Sequence, residues 1–180
     1  APSPSASMRA SPSKPGFLLF DLPSDHEVAA SLSTECKVVE AILHNRGLAR
    51  RITRHRFTSR TKFRDHASTR LNVRFVHLAG HANEDGIGFL RGGMSWEKFA
   101  EHITGHLQPL DDEQRVVVFS CCNSADGFNA TKKIFRDYFT AAYLLNDEKV
   151  DFSDAITIWA MFYLKKTVEH PHKRIVDPIN

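Results

Sequence analysis

The sequence predicts an α/β fold: a three-layer sandwich in which helices cover both faces of a mostly parallel sheet. Three observations lead there. Short apolar runs of strand length, FLLFDL at 17–22, VRFVHLA at 73–79 and RVVVFSCC at 115–122, lack the polar alternation of a half-exposed strand and suit burial on both faces. Longer segments between them carry apolar residues at helical spacing. Strand and helix signals then alternate along the chain, with no internal repeat.

Taken in order, residues 1–16 (APSPSASMRASPSKPG) are rich in Ser and Pro and poor in large apolar groups. Such a segment cannot offset its ordering entropy, so it reads as a disordered leader or remnant, with Met8 as the native start; a single folded domain is expected over 17–180. Phe17 to Leu22 is a buried strand closed by Pro23. Ser24 with Glu27 forms a capping-box pattern that opens a helix ending at Gly47. Ala49 to Phe57 reads as a polar edge strand, followed by a short helix over 59–68. Val73 to Ala79 is a second buried strand, stopped at Gly80. The glycines of GIGFLRGG at 86–93 suggest a short hairpin or loop excursion. A helix from Ser95 to about Leu107 sets Trp96, Phe99, Ile103 and Leu107 on one face. Arg115 to Cys122 is the clearest strand, followed by a loop at 123–128 and a helix over 130–138. A short strand at 141–145 and a helix over 153–168 close the chain.

At 180 residues the chain is long enough to bury a sizeable core by itself. Its 24 basic and 21 acidic residues nearly balance, at a net charge of +3. Basic residues do gather between Arg46 and Arg74, where no aromatic ladder accompanies them; the solvated side of an edge strand is the expected account, and nucleic acid is not an expected partner. No apolar run approaches the roughly 18–20 residues of a membrane span, so no membrane partner is expected. Cys36, Cys121 and Cys122 do not make a disulfide framework, since one is left over and two are adjacent. Reduced thiols in a cytoplasmic setting are the simpler reading.

In parallel sheets ligands and chemistry gather beyond the carboxyl ends of the strands. Two strands here lead into chemically capable residues, the first into His81 and the second into Cys122. A cysteine attacks as its thiolate, and an imidazole beside it can take the proton and return it to the leaving group. Adjacent parallel strands would bring the two residues together, and backbone N–H groups at the turns could hold an oxyanion. His77 and His81 would share a face only on a helix; on a strand they do not converge, so neither a metal nor a cofactor is expected.

The run from Phe75 to His81, an apolar strand ending in Gly80-His81, resembles the Gly-His signature of the CHAT family of caspase-like (clan CD) cysteine peptidases. VVVFSCCNS at 116–124 resembles that family's second signature, an apolar strand ending in Ser-small-Cys-x-Ser. Aligning Ser120 with the family's serine makes Cys122 the nucleophile and Cys121 the small residue. The resemblance covers roughly residues 17–170 and implies a caspase-like sandwich with Cys122 and His81 as catalytic residues. It implies a cysteine endopeptidase acting on a protein substrate, under a regulatory protein partner, in a cell-death or defence setting. The oxyanion would be met by the N–H groups of Cys122 and Ala82, and Ala82 is a departure, because the family usually has glycine there. That departure keeps a second reading open, a catalytically weak scaffold or interaction module. Clan CD peptidases often hold a charged substrate side chain near the same strand ends; Asp21 and Asp126 are acids in position to favour Arg or Lys.

Overall fold

The computed structural model describes residues 16–23, 26–66, 70–109, 114–145 and 149–165, with side chains in the first helix from Thr34 onward. The elements are β1 (Gly16–Leu22), α1 (His26–Asn45), β2 (Ile52–Arg56), α2 (Arg60–Asp65), β3 (Val73–Asn83), β4 (Gly86–Gly88), β5 (Gly93–Ser95), α3 (Trp96–Gly105), β6 (Val116–Ser120), α4 (Ser124–Phe135), β7 (Ala141–Leu144) and α5 (Phe152–Lys165). Five strands run parallel in the order β2-β1-β3-β6-β7, while β4 and β5 add an antiparallel extension to the far end of β3.

The pleat explains the unbroken apolar runs, since successive side chains face opposite layers and both layers are covered. On one face Leu18, Phe20, Val76, Leu78, Val117 and Phe119 share a core with Phe63 of α2, Phe99 and Ile103 of α3 and Phe135 of α4. On the other, Phe17, Leu19, Phe75, Val116 and Val118 meet Val39 and Leu43 of α1 and Trp159 and Tyr163 of α5. The chain is therefore a three-layer α/β sandwich on a mostly parallel seven-stranded sheet. No described helix is long and apolar enough to cross a membrane.

Several boundaries differ from expectation. Gly80 does not stop β3; the strand continues through His81 and Ala82 to Asn83, because β4 folds back and pairs with it, His81 with Gly88 and Ala82 with Ile87. Gly86 makes the hairpin possible, since a Cβ there would lie 2.1 Å from the Met94 carbonyl oxygen. The edge strand β2 begins only after a 3-10 turn at Ala49–Arg51. The strand expected over 115–122 ends at Ser120, and the loop expected at 123–128 is instead the start of α4: Cys121 to Asn123 make the connection, with Asn123 in the left-handed region at φ 52. The leader at 1–15, the Ser24 cap and residues 166–168 of the closing helix lie outside the described residues; Gly16 already belongs to β1.

Candidate active site

The register of the central strands positions the site. β3 and β6 run parallel with Phe75 beside Val116, His77 beside Val118 and Ala79 beside Ser120, where the ladder ends. Two residues further along each chain stand His81 and Cys122. His81 still lies within β3, whereas Cys122 lies in the turn after β6. The His81 ring lies edge-on against Phe152, the first residue of α5, with centroids 5.0 Å apart. Cys122 sits in the tight connection between β6 and α4, and the buried Ser124 hydroxyl, donating to the Leu145 carbonyl, pins the start of α4 to the end of β7.

The two adjacent cysteines differ in burial. Cys121 turns into the α2–α4 core, is 4% exposed, and its thiol is pushed well up by burial and then by the neighbouring Cys122. Cys36, on the inner face of α1, is wholly buried, and burial, then Glu35 and Asp21, push its thiol up as well. Both are held as neutral thiols, small apolar fillers of their cores. Cys122 is half-buried and carries no disulfide, which leaves it as the one accessible thiol among the described cysteines.

His81 and Ala82 form one side of a groove of about 610 Å³ whose other walls come from the β4–β5 hairpin, including Ile87, Gly93 and Met94. Cys122, one strand over, is outside that lining. The loop acids Glu84 and Asp85 form the exposed hairpin tip, where the Asn83 side-chain oxygen accepts from the Asp85 and Gly86 amides. Among the described residues, no three His, Cys, Asp or Glu side chains are placed to hold a metal ion.

The two acids expected to attract a basic substrate side chain have other positions. Asp21 is wholly buried, with its carboxylate 3.1 Å from Arg54 and 3.7 Å from Arg56 of β2, so it is an internal counter-ion and not the floor of an open pocket. Part of the basic stretch is thereby explained as well: Arg54 also binds Glu40, and Arg64 pairs with Asp65. Asp126 is exposed in the first turn of α4 and accepts from the Asn123 side chain at 3.5 Å, shaping the turn that carries Cys122.

Three features of the site were not predicted from the sequence. Phe152 supports His81 from a distant part of the chain. Trp96, buried in α3, donates its indole N–H to the Asn83 carbonyl at the end of β3, packs on Phe119 of β6, and fills the space over Gly127 of α4. It thus ties the strand that carries His81 to the strand and helix on either side of Cys122. His77, one turn of the pleat before Ala79, is wholly buried, bonded to Glu35 of α1 at 2.6 Å and to the Tyr163 hydroxyl of α5 at 3.2 Å. The indole and the imidazole could have been flagged as polar groups needing partners, but the partners themselves leave no local signal. The chain matches no family model and no curated protein.

Proposed function

We propose that the protein is a cysteine endopeptidase of the CHAT, caspase-like kind, with Cys122 as nucleophile and His81 as general base and then acid. The observation that carries the reading is the β3–β6 register, whose last paired couple is Ala79 and Ser120, with His81 and Cys122 two residues further along their respective chains. The fold class, the accessibility of Cys122 beside two neutral buried thiols, and the Phe152 ring steadying His81 support it. In the reaction His81 takes the Cys122 proton as sulfur attacks the substrate carbonyl, then gives it to the leaving amine; water releases the acyl group. The Cys122 and Ala82 amides are the proposed oxyanion donors.

Incubation with a denatured proteome, followed by mass spectrometry of new peptide termini, tests the reading. Cleavage should fall by at least about a hundredfold in both Cys122→Ala and His81→Ala, the scale of losing a nucleophile or its base. Cleavage that survives both substitutions sinks the proposal. A Cys122 thiol alkylated no faster in the wild type than in His81→Ala, together with no cleavage, would favour the scaffold reading that Ala82 keeps open.

A further inference from the structure

A basic cluster stands beside the Gly93 end of the groove. Chain segments distant in sequence meet there: Ser59 bridges to Arg91, the Arg91 amide donates to the Thr58 carbonyl, and the Arg60 amide donates to the Arg91 carbonyl. This pairing sets Arg60 and Arg91 side by side on one backbone ladder. The Arg60 guanidinium then reaches across to the carbonyl of Gly93, which is itself a wall of the groove, at 3.4 Å. Arg60, Arg91 and Lys62 are all exposed, and Arg56, at the end of β2, is about half exposed. The acids of β1 and α2 are engaged: Asp21 is buried under Arg54 and Arg56, and Asp65 is paired with Arg64. The opposite end of the groove is different, because Asp85 lines it there.

From this arrangement we infer that the rim at the Gly93 end of the groove takes acidic polypeptide segments, with Glu or Asp side chains of the substrate seated against Arg60 and Arg91. The inference rests on the peptidase reading and names its substrate class, reversing the basic preference that Asp21 suggested in the sequence. Planar guanidinium groups meet carboxylates through paired hydrogen bonds, and a surface cluster of one sign of charge concentrates ligands of the other. A polypeptide fits better than a nucleic acid. The exposed large apolar residues among those described are Ile158, Met161 and Leu164 on α5, so this rim offers no exposed aromatic platform for stacked bases.

The test measures binding without chemistry. Cys122→Ala protein is titrated into a short fluorescein-labelled Glu/Gly/Ser peptide, into the same peptide with Gln for Glu, and into single-stranded RNA, at low and high salt. The acidic peptide should bind at least about tenfold more tightly than the Gln peptide at low salt, and the difference should shrink as salt rises. The double variant Arg60→Glu/Arg91→Glu, made in the same Cys122→Ala background, should abolish the preference while circular dichroism and melting temperature stay unchanged, since both residues are exposed. Equal binding of the two peptides overturns the inference, as does a preference that survives the charge reversal or an arginine-dependent affinity for RNA alone. Because no cleavage is read, an inert Cys122 would defeat the peptidase reading and leave this result standing.

Discussion

Gly127 has no side chain because Trp96 occupies the place where one would go. A Cβ built there would lie 2.7 Å from two carbons of the indole ring, too close for either to stay. Gly127→Ala should therefore push the indole off Phe119 and strain its bond to Asn83, at a cost of about 1–3 kcal/mol. The urea midpoint should fall accordingly, and tryptophan fluorescence should shift red as water reaches the ring. A midpoint unchanged from wild type would show that the helix accommodates the methyl group. At this scale the sequence was partly legible. Pleat parity and a motif turn Cys121 away from the proposed site, and Cys121 is buried in the core. Asp21 misled for a physical reason: its partners, Arg54 and Arg56, lie on β2, and only the tertiary pairing of β1 with β2 brings them to it.

Elements were readable where their periodicity stood alone and misread where a neighbour overrode it. The buried strands and the apolar face of α3 appear at their predicted places because burial on both faces or one face writes a direct pattern. The end of β3 was misplaced because a glycine signal yielded to pairing with β4, which no local property of residues 80–83 announces. The packing of α2 and α3 against β2 holds another feature that only proximity reveals. His55 of β2, His66 after α2, and His102 and His106 at the end of α3 cluster with ring centroids 4.7 Å (His55–His66, tilted), 5.4 Å (His66–His106, stacked) and 5.1 Å (His102–His106, edge-on) apart. Phe20, Phe57 and Phe63 enclose them. His106 and His102 approach at 3.4 Å between Nε2 atoms, a contact that requires at least one neutral ring. Burial, followed by the charges of His102, His66 and His55, lowers His106 to about 4; burial first also lowers His55 and His102. A folded pKa below the unfolded value of about 6.5 means that stability is present in full above pH 6.5 and is lost as pH falls toward 4. His106 alone should cost about 2 kcal/mol between pH 7.5 and pH 5, visible as a lower urea midpoint. His106→Asn should flatten this dependence, and a variant as acid-sensitive as the wild type would refute the assignment to the cluster.

Across the whole molecule, layer order was legible because alternating strand and helix signals leave few ways to build a sheet covered on both faces. What joins the layers was not, since it depends on polar groups more than forty residues apart. His77, in the middle of β3, is held by Glu35 from α1 on one ring nitrogen and by Tyr163 from α5 on the other. Three elements of the sheet and its helix layer therefore meet at one imidazole, with Trp159 edge-on beside it at 5.8 Å. All three polar groups lie out of water, where a lost partner is expensive because solvent cannot replace it. Glu35→Ala should destabilise the protein by about 2–5 kcal/mol, well beyond what the lost contacts of an exposed glutamate would cost. His77→Phe alone should also be costly, because it strands both the Glu35 carboxyl and the Tyr163 hydroxyl. The double substitution Glu35→Leu/His77→Phe removes donor and acceptor together and should recover part of the loss, since apolar groups of similar shape can replace a buried polar pair. Urea midpoints for the wild type, the two singles and the double complete the cycle. Strict additivity would mean that Glu35 and His77 act separately, and that the helices are fastened to the sheet by apolar packing alone.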